Sequence, residues 1–340
     1  MRHSTTLALT LTVSITFLLI GIITNQNSYS TNGFFFSENF NQIVLTLPLS
    51  TSWIIELYHH ISQYQATYNL IVTSISAGLT FFYFIRCIQL LTPGAHLISK
   101  LLYAGFMVSA PIYSISVYHD LSLTIALALL VFATRQSIEA AERKEAKRVI
   151  IAVIIISLSM LLLPGLALLL IPLLLLSMSN LNRKIINKCI MLACLSALCI
   201  QGALTLNCQD WSINHYLESY NTLFGYPISN LFFTALVLIN PHFSVALPLL
   251  IMLAKKTDLY LPEKKALLAG IILYLTWLDG LPHLSNFLLL PLWVTLLLLA
   301  FPAWDRFVVY GLYFFKKTTI IVLTVLFSVQ VLATLLIHPW

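Results

Sequence analysis

The chain has 340 residues, 59% of them hydrophobic and 9% charged, with a mean hydropathy of +0.91. A soluble domain of ordinary composition carries about 25% charged residues, so this composition excludes a soluble enzyme and leaves an integral membrane protein. The formal net charge of +6 is accounted for by membrane topology, with no nucleic-acid partner implied.

In chain order, the apolar run 7–24 follows Met1-Arg-His and has no A-x-A-like cleavage site after it. It is expected as a retained first span rather than a signal peptide. The first long polar interval then runs from Thr24 to Tyr64. It holds Glu38, Glu56 and the His59-His60 pair among aromatics and amides, with no Lys or Arg. Glu38 sits among Phe34, Phe35, Phe36 and Phe40. After Pro48, the residues Trp53, Ile54, Leu57, Tyr58 and Ile61 recur at helical spacing. Residues 50–64 are therefore expected as an amphipathic surface helix presenting Glu56, His59 or His60, and Gln63 on its polar side.

Further spans are expected at about 65–86, 101–118, 121–134, 149–163, 165–179, 189–206, 228–254, 266–278, 286–303 and 318–337. The fold expected is all-α: a polytopic transmembrane helical bundle of about eleven spans, forming one integral membrane domain over 1–340. Residues 25–64 form its outer-face loop and interfacial helix, and 135–148 and 304–317 its inner-face interfacial segments. With the N-terminus cytoplasmic and the C-terminus on the outer face, all 18 Lys and Arg residues fall on inner segments, as the positive-inside rule requires. A bacterial inner membrane is the expected location. The run 149–180 reads either as a hairpin turning at Pro164-Gly165 or as one long span. The second option moves the hairpin to Asn240-Pro241 and strands Arg183, Lys184 and Lys188 outside.

The segment Arg135–Arg148 mixes charge signs at helical spacing, with Glu139 near Arg143, and reads as a surface helix feeding the next span, a solvated charged face being the plainer explanation. Trp304 to Lys317 is expected as an aromatic and basic interfacial helix. Cys189, Cys194 and Cys199 are five residues apart, which winds around a helix, so no metal site is expected. No nucleotide-binding or metalloprotease motif occurs.

Six acids fall on the outer side: Glu38, Glu56, Asp120, Asp210, Glu218 and Asp279. Without outer Lys or Arg, none has an ordinary salt-bridge partner there. Histidines accompany them, among them His59, His119 and His283. Asp120 follows His119 at an abrupt tip between two spans, where partial desolvation would make it a better base. Solvated loop acids and headgroup contacts are the plainer explanation of the same residues.

This layout resembles the GT-C glycosyltransferases, polytopic enzymes that use polyprenyl-phosphate-linked sugars. The likeness lies in a first span, an outer loop with an acid and a surface helix, and a short tip ending in an acid. The stretch ISVYHDLSLTIALALLVFATR, the basic segment after it and the Pro164-Gly165 hairpin are similar to that family's central spans. Pro282-His-Leu-Ser-Asn-Phe to Trp293 is similar to its late outer-edge segment. The resemblance implies sugar transfer to a glycan, lipid or protein acceptor, with Glu38 as general base and Asp120 as a second catalytic residue. His59, His119, His283 and Asn286 would then contact substrate, and no cofactor is needed beyond the lipid-linked donor. A non-catalytic subunit of a glycan-assembly complex, and a lipid-linked glycan transporter or polymerase, stay open as alternatives.

Overall fold

A computed structural model describes residues 3–23, 65–110, 113–114, 121–162, 165–179, 187, 191, 195, 261–279 and 289–337. Among these, all regular structure is helical. The helices are α1 (His3–Ile23), α2 (Gln65–Leu91), α3 (Leu97–Ser109), α4 (Leu121–Arg143), α5 (Ala146–Leu162), α6 (Leu166–Ser179), α7 (Pro262–Asp279), α8 (Leu289–Phe314) and α9 (Lys316–Ile337). The expected spans 189–206 and 228–254 lie outside the described residues, apart from 191 and 195.

The helix boundaries follow from local chemistry. Helix α2 stops where Pro93 and Gly94 arrive, and its last turn closes with Thr92 N–H donating to the Ile88 carbonyl at 2.9 Å. Helix α3 ends at Ala110, which is extended (φ −68°, ψ 135°) ahead of Pro111, because proline disfavours helical backbone in the residue before it. Helix α7 starts with Pro262 and carries Glu263 in its first turn, a position where a missing N–H costs nothing and an acid meets the positive end of the helix dipole.

Three expectations change. The expected span 101–118 does not run through Pro111, since α3 stops at Ser109. Residues 135–143 are not a separate surface helix: α4 runs through them unbroken to Arg143. The segment contains no Pro or Gly and is rich in helix formers, so nothing stops the helix where its apolar stretch ends. The break comes at Lys144, a non-glycine residue at φ 56°, whose N–H donates to the Ala140 carbonyl at 2.9 Å. Likewise α8 continues past residue 303 to Phe314, with Pro302 inside it, and only Phe315 separates it from α9. The hairpin reading of 149–180 fits the fold: the chain turns at Gly165, and α5 and α6 pack against each other.

Helix α4 is central, packed against α2, α5 and α6, while α2 also meets α1, α3 and α8. The core is heavily aromatic. Tyr103 lies against Phe301 and Trp304, with both pairs of ring centroids 5.2 Å apart, and its hydroxyl donates to the Leu297 carbonyl at 2.6 Å. Trp304 Nε1 donates to the Ser99 carbonyl at 3.3 Å. Tyr113 reaches the Ala77 carbonyl at 3.3 Å, and Ser109 Oγ meets Gln330 Oε1 at 2.9 Å. These contacts tie α3 to α8 and α9, and Tyr113 beyond its end to α2, by hydrogen bonds that need no water, each worth about 0.6 kcal/mol between membrane helices. At Gly270 the backbone of α7 meets the Leu169 backbone of α6 so closely that any side chain would collide.

The outer surface of the bundle is apolar. On α1, Leu7, Leu11, Ile15 and Leu19 form an i, i+4 row, each more than half exposed; α9 exposes Ile320, Ile321, Val325, Val331 and Leu332. Rows of this kind suit lipid and not water. Among the described residues three stretches, Leu70–Leu91, Leu123–Arg143 and Leu289–Phe314, are long and apolar enough to cross a membrane. The protein is a helical protein of membrane type.

Candidate functional site

All six residues singled out from the sequence, Glu38, His59, His119, Asp120, His283 and Asn286, lie outside the described residues. So do Glu56 and His60. Their neighbours in the chain are described: Ile23 and Gln65 bound the segment holding Glu38 and His59, Leu121 follows Asp120, and Asp279 and Leu289 bound the segment holding His283 and Asn286.

The described polar groups gather at the other ends of the same helices. Glu139 of α4 is only 5% exposed. Its Oε1 accepts from Arg135 Nε and Nη2, both at 3.0 Å, and its Oε2 pairs with Arg148 Nη1 of α5. Arg148 also donates to Glu145 Oε2 at 2.6 Å and to Gln136 Oε1 at 3.3 Å. The Arg135 guanidinium lies 5.7 Å from the Tyr83 ring, which stacks on Phe132 at 4.5 Å. Arg86 at the end of α2 lies over Phe82 at 5.4 Å, donates to Gln89 Oε1 at 3.0 Å and feels the charges of Arg135 and Glu139. A carboxylate shared by two guanidiniums on different helices joins those helices by charge-assisted hydrogen bonds.

A second polar contact joins α3 to α8. The His96 N–H at the start of α3 donates to Asp305 Oδ1 at 3.3 Å. Lys100, one turn further on, is 7% exposed; burial pulls its ammonium below the ordinary lysine range, and the Asp305 carboxylate opposes that. Glu142 of α4 and Glu263 of α7 are near enough to act on each other electrostatically. The C-terminal ends of α2, α4 and α8 and the N-terminal ends of α3, α5 and α7 therefore make the charged contacts. The helix termini next to the six sequence-derived residues are the opposite ones.

Sequence reasoning missed the burial of Glu139 and its true partners, having placed it beside Arg143. The available signal was the residues around it, Ser137-Ile138 and Ala140-Ala141, small or apolar on both sides and all buried. Arg143 instead faces the exposed Glu145 at 3.9 Å. Cys87 is buried and free, its thiol 3.4 Å from the Val131 carbonyl. Comparison with protein-family models, with curated proteins and with solved structures returned no match.

Proposed function

We propose that the protein is a multi-pass membrane glycosyltransferase that moves a sugar from a polyprenyl-phosphate donor to an acceptor hydroxyl on the outer face of a bacterial inner membrane. The observation that carries this reading is the sidedness of charge. In the assigned topology all 18 Lys and Arg residues lie in inner segments. Acids assigned to the outer side have no Lys or Arg in their own segments, so they are available as bases. About eleven spans, an inner N-terminus and an outer C-terminus follow from the same distribution.

In the proposed reaction Glu38 takes the proton from the acceptor hydroxyl as that oxygen attacks the anomeric carbon. The bond from that carbon to the phosphate oxygen breaks, and the lipid phosphate leaves with the electron pair. Asp120 orients the acceptor or the sugar. His59, His119, His283 and Asn286 are the donors available to the phosphate, because no outer Lys or Arg is at hand. The lipid-linked donor is already activated, so neither a nucleotide nor a further cofactor enters.

The test is transfer from a polyprenyl-phosphate sugar by the purified full chain, with Glu38→Gln and Asp120→Asn variants. Loss of a general base is expected to lower turnover about a hundredfold or more. Full transfer in both variants removes the catalytic assignment. No transfer by the unaltered chain leaves the role of an assembly subunit.

A further inference from the structure

Between α8 and α9 lies an open groove of about 620 Å³, lined by Ala303, Arg306, Tyr310, Gly311, Phe315, Thr319 and their neighbours down to Val322. Its walls are apolar and aromatic. Tyr310, Tyr313, Phe314 and Phe315 are each at least 61% exposed, and Tyr310 stacks on Phe314 with centroids 6.3 Å apart. Arg306 lines the groove, and Lys316 and Lys317 flank its Phe315 and Thr318 walls. None of these three cations has a salt bridge among the described residues, while the one acid of the segment, Asp305, already accepts from His96.

Depth along the helix decides what fits. Arg306 stands 17 residues beyond Leu289, the start of α8, which is about 26 Å along the axis. A hydrocarbon core is about 30 Å thick, so the groove opens at its boundary, where aromatic side chains and cations meet headgroups. Its lower wall, Thr319 and Val322, continues on α9 toward the apolar rows that face lipid.

We propose that this groove is a binding site for an anionic phospholipid, with an acyl chain along the α8–α9 seam and the phosphate held by Arg306, Lys316 and Lys317. Charge complementarity selects the anionic lipid: Arg306 lines a largely apolar slot and the exposed Lys316 and Lys317 lie between its lining residues Phe315 and Thr318 in the chain, where a zwitterionic headgroup would add its own ammonium. Gly311 makes the slot possible. A Cβ there would lie 2.5 Å from Thr319 Oγ1 and 2.9 Å from its Cγ2, so the two helices touch at this point. The proposal does not depend on glycosyl transfer and is read without an activity assay.

The experiment is native mass spectrometry of the detergent-purified full chain titrated with phosphatidylglycerol or phosphatidylcholine. It is paired with crosslinking by a phosphatidylglycerol that carries a photoreactive tail. Preferential retention of phosphatidylglycerol, with crosslinks on α8 and α9, is expected. Arg306→Gln and the double change Lys316→Gln with Lys317→Gln should weaken retention about fivefold per charge removed, and Arg306→Lys should keep it. Val322→Trp, which fills the slot and leaves every charge in place, should abolish the crosslink. The lysine changes are at exposed positions, so they remain informative if Arg306→Gln fails to fold. Equal retention of the two lipids overturns the proposal, as do crosslinks elsewhere that no variant reduces. Displacement of the lipid by inorganic phosphate also overturns it, assigning the cations to a soluble anion.

Discussion

The α4–α5 and α8–α9 joins look alike in sequence: both are charged, both follow an apolar helix, and both break over one or two residues. They end in opposite environments. At the first, Glu139 is buried between Arg135 and Arg148, and the join is closed. At the second, the cations stay exposed around a groove. The difference is the supply of carboxylates. Residues 135–148 carry three Glu against five basic residues, while 304–317 carry one Asp against three. A guanidinium can be drawn into a helix packing interface only with a counter-charge to neutralise it; without one it stays at the surface and is free to meet an external anion.

Removing the counter-charge should break the first join most severely. Glu139→Ala leaves Arg135 and Arg148 facing each other half-buried, and a loss of about 3 kcal/mol is expected, read as a lower thermal unfolding midpoint in detergent. Glu145→Gln at the exposed pair should cost well under about 1 kcal/mol. Equal effects from the two changes would show that the buried carboxylate does not hold the join.

The second join should be broken by size and not by charge. Gly311→Val is expected to cost about 2 kcal/mol, since Thr319 is 4% exposed and has little room to yield. Gly311→Ala should be rescued by Thr319→Ala, and an absence of rescue would deny that the two residues meet. A stabilising change sharpens the contrast from the other direction. Lys144 holds φ at 56° to close α4, so Lys144→Gly should raise stability by about 1 kcal/mol. A fall in midpoint would show that the Lys144 side chain contributes more than its backbone costs.

Of the breakers only the one at Gly165 was legible, as the turn between α5 and α6; the expected span 101–118 ran through Pro111, whereas α3 stops at Ser109, and the span 65–86 stopped short of the end of α2 at Leu91. Helix ends were misplaced where charge was taken as a stop signal. Charge locates the membrane boundary, but α4 and α8 are held together by i→i−4 hydrogen bonds that continue beyond it until a residue such as Lys144 adopts another conformation. The Arg135–Glu139 half of the buried cluster was readable at i, i+4. The Arg148 half was not, because it comes from across the break and its distance depends on how α5 folds back. As for the candidate chemistry, Glu38, Asp120 and the histidines around them stand in segments outside the described residues, and the reading there rests on composition and order along the chain.

The α5–α6 hairpin has a consequence for the surrounding bilayer. With Arg148 pinned at the charged end and the turn at Gly165, α5 has 14 residues from Val149 to Leu162, about 21 Å of helix. That falls short of a typical hydrocarbon thickness of about 30 Å, and tilting shortens its reach further. The proposed topology, in which α5 crosses the membrane, therefore predicts that the protein favours thin bilayers of short-chain lipids and loses stability as the acyl chains lengthen.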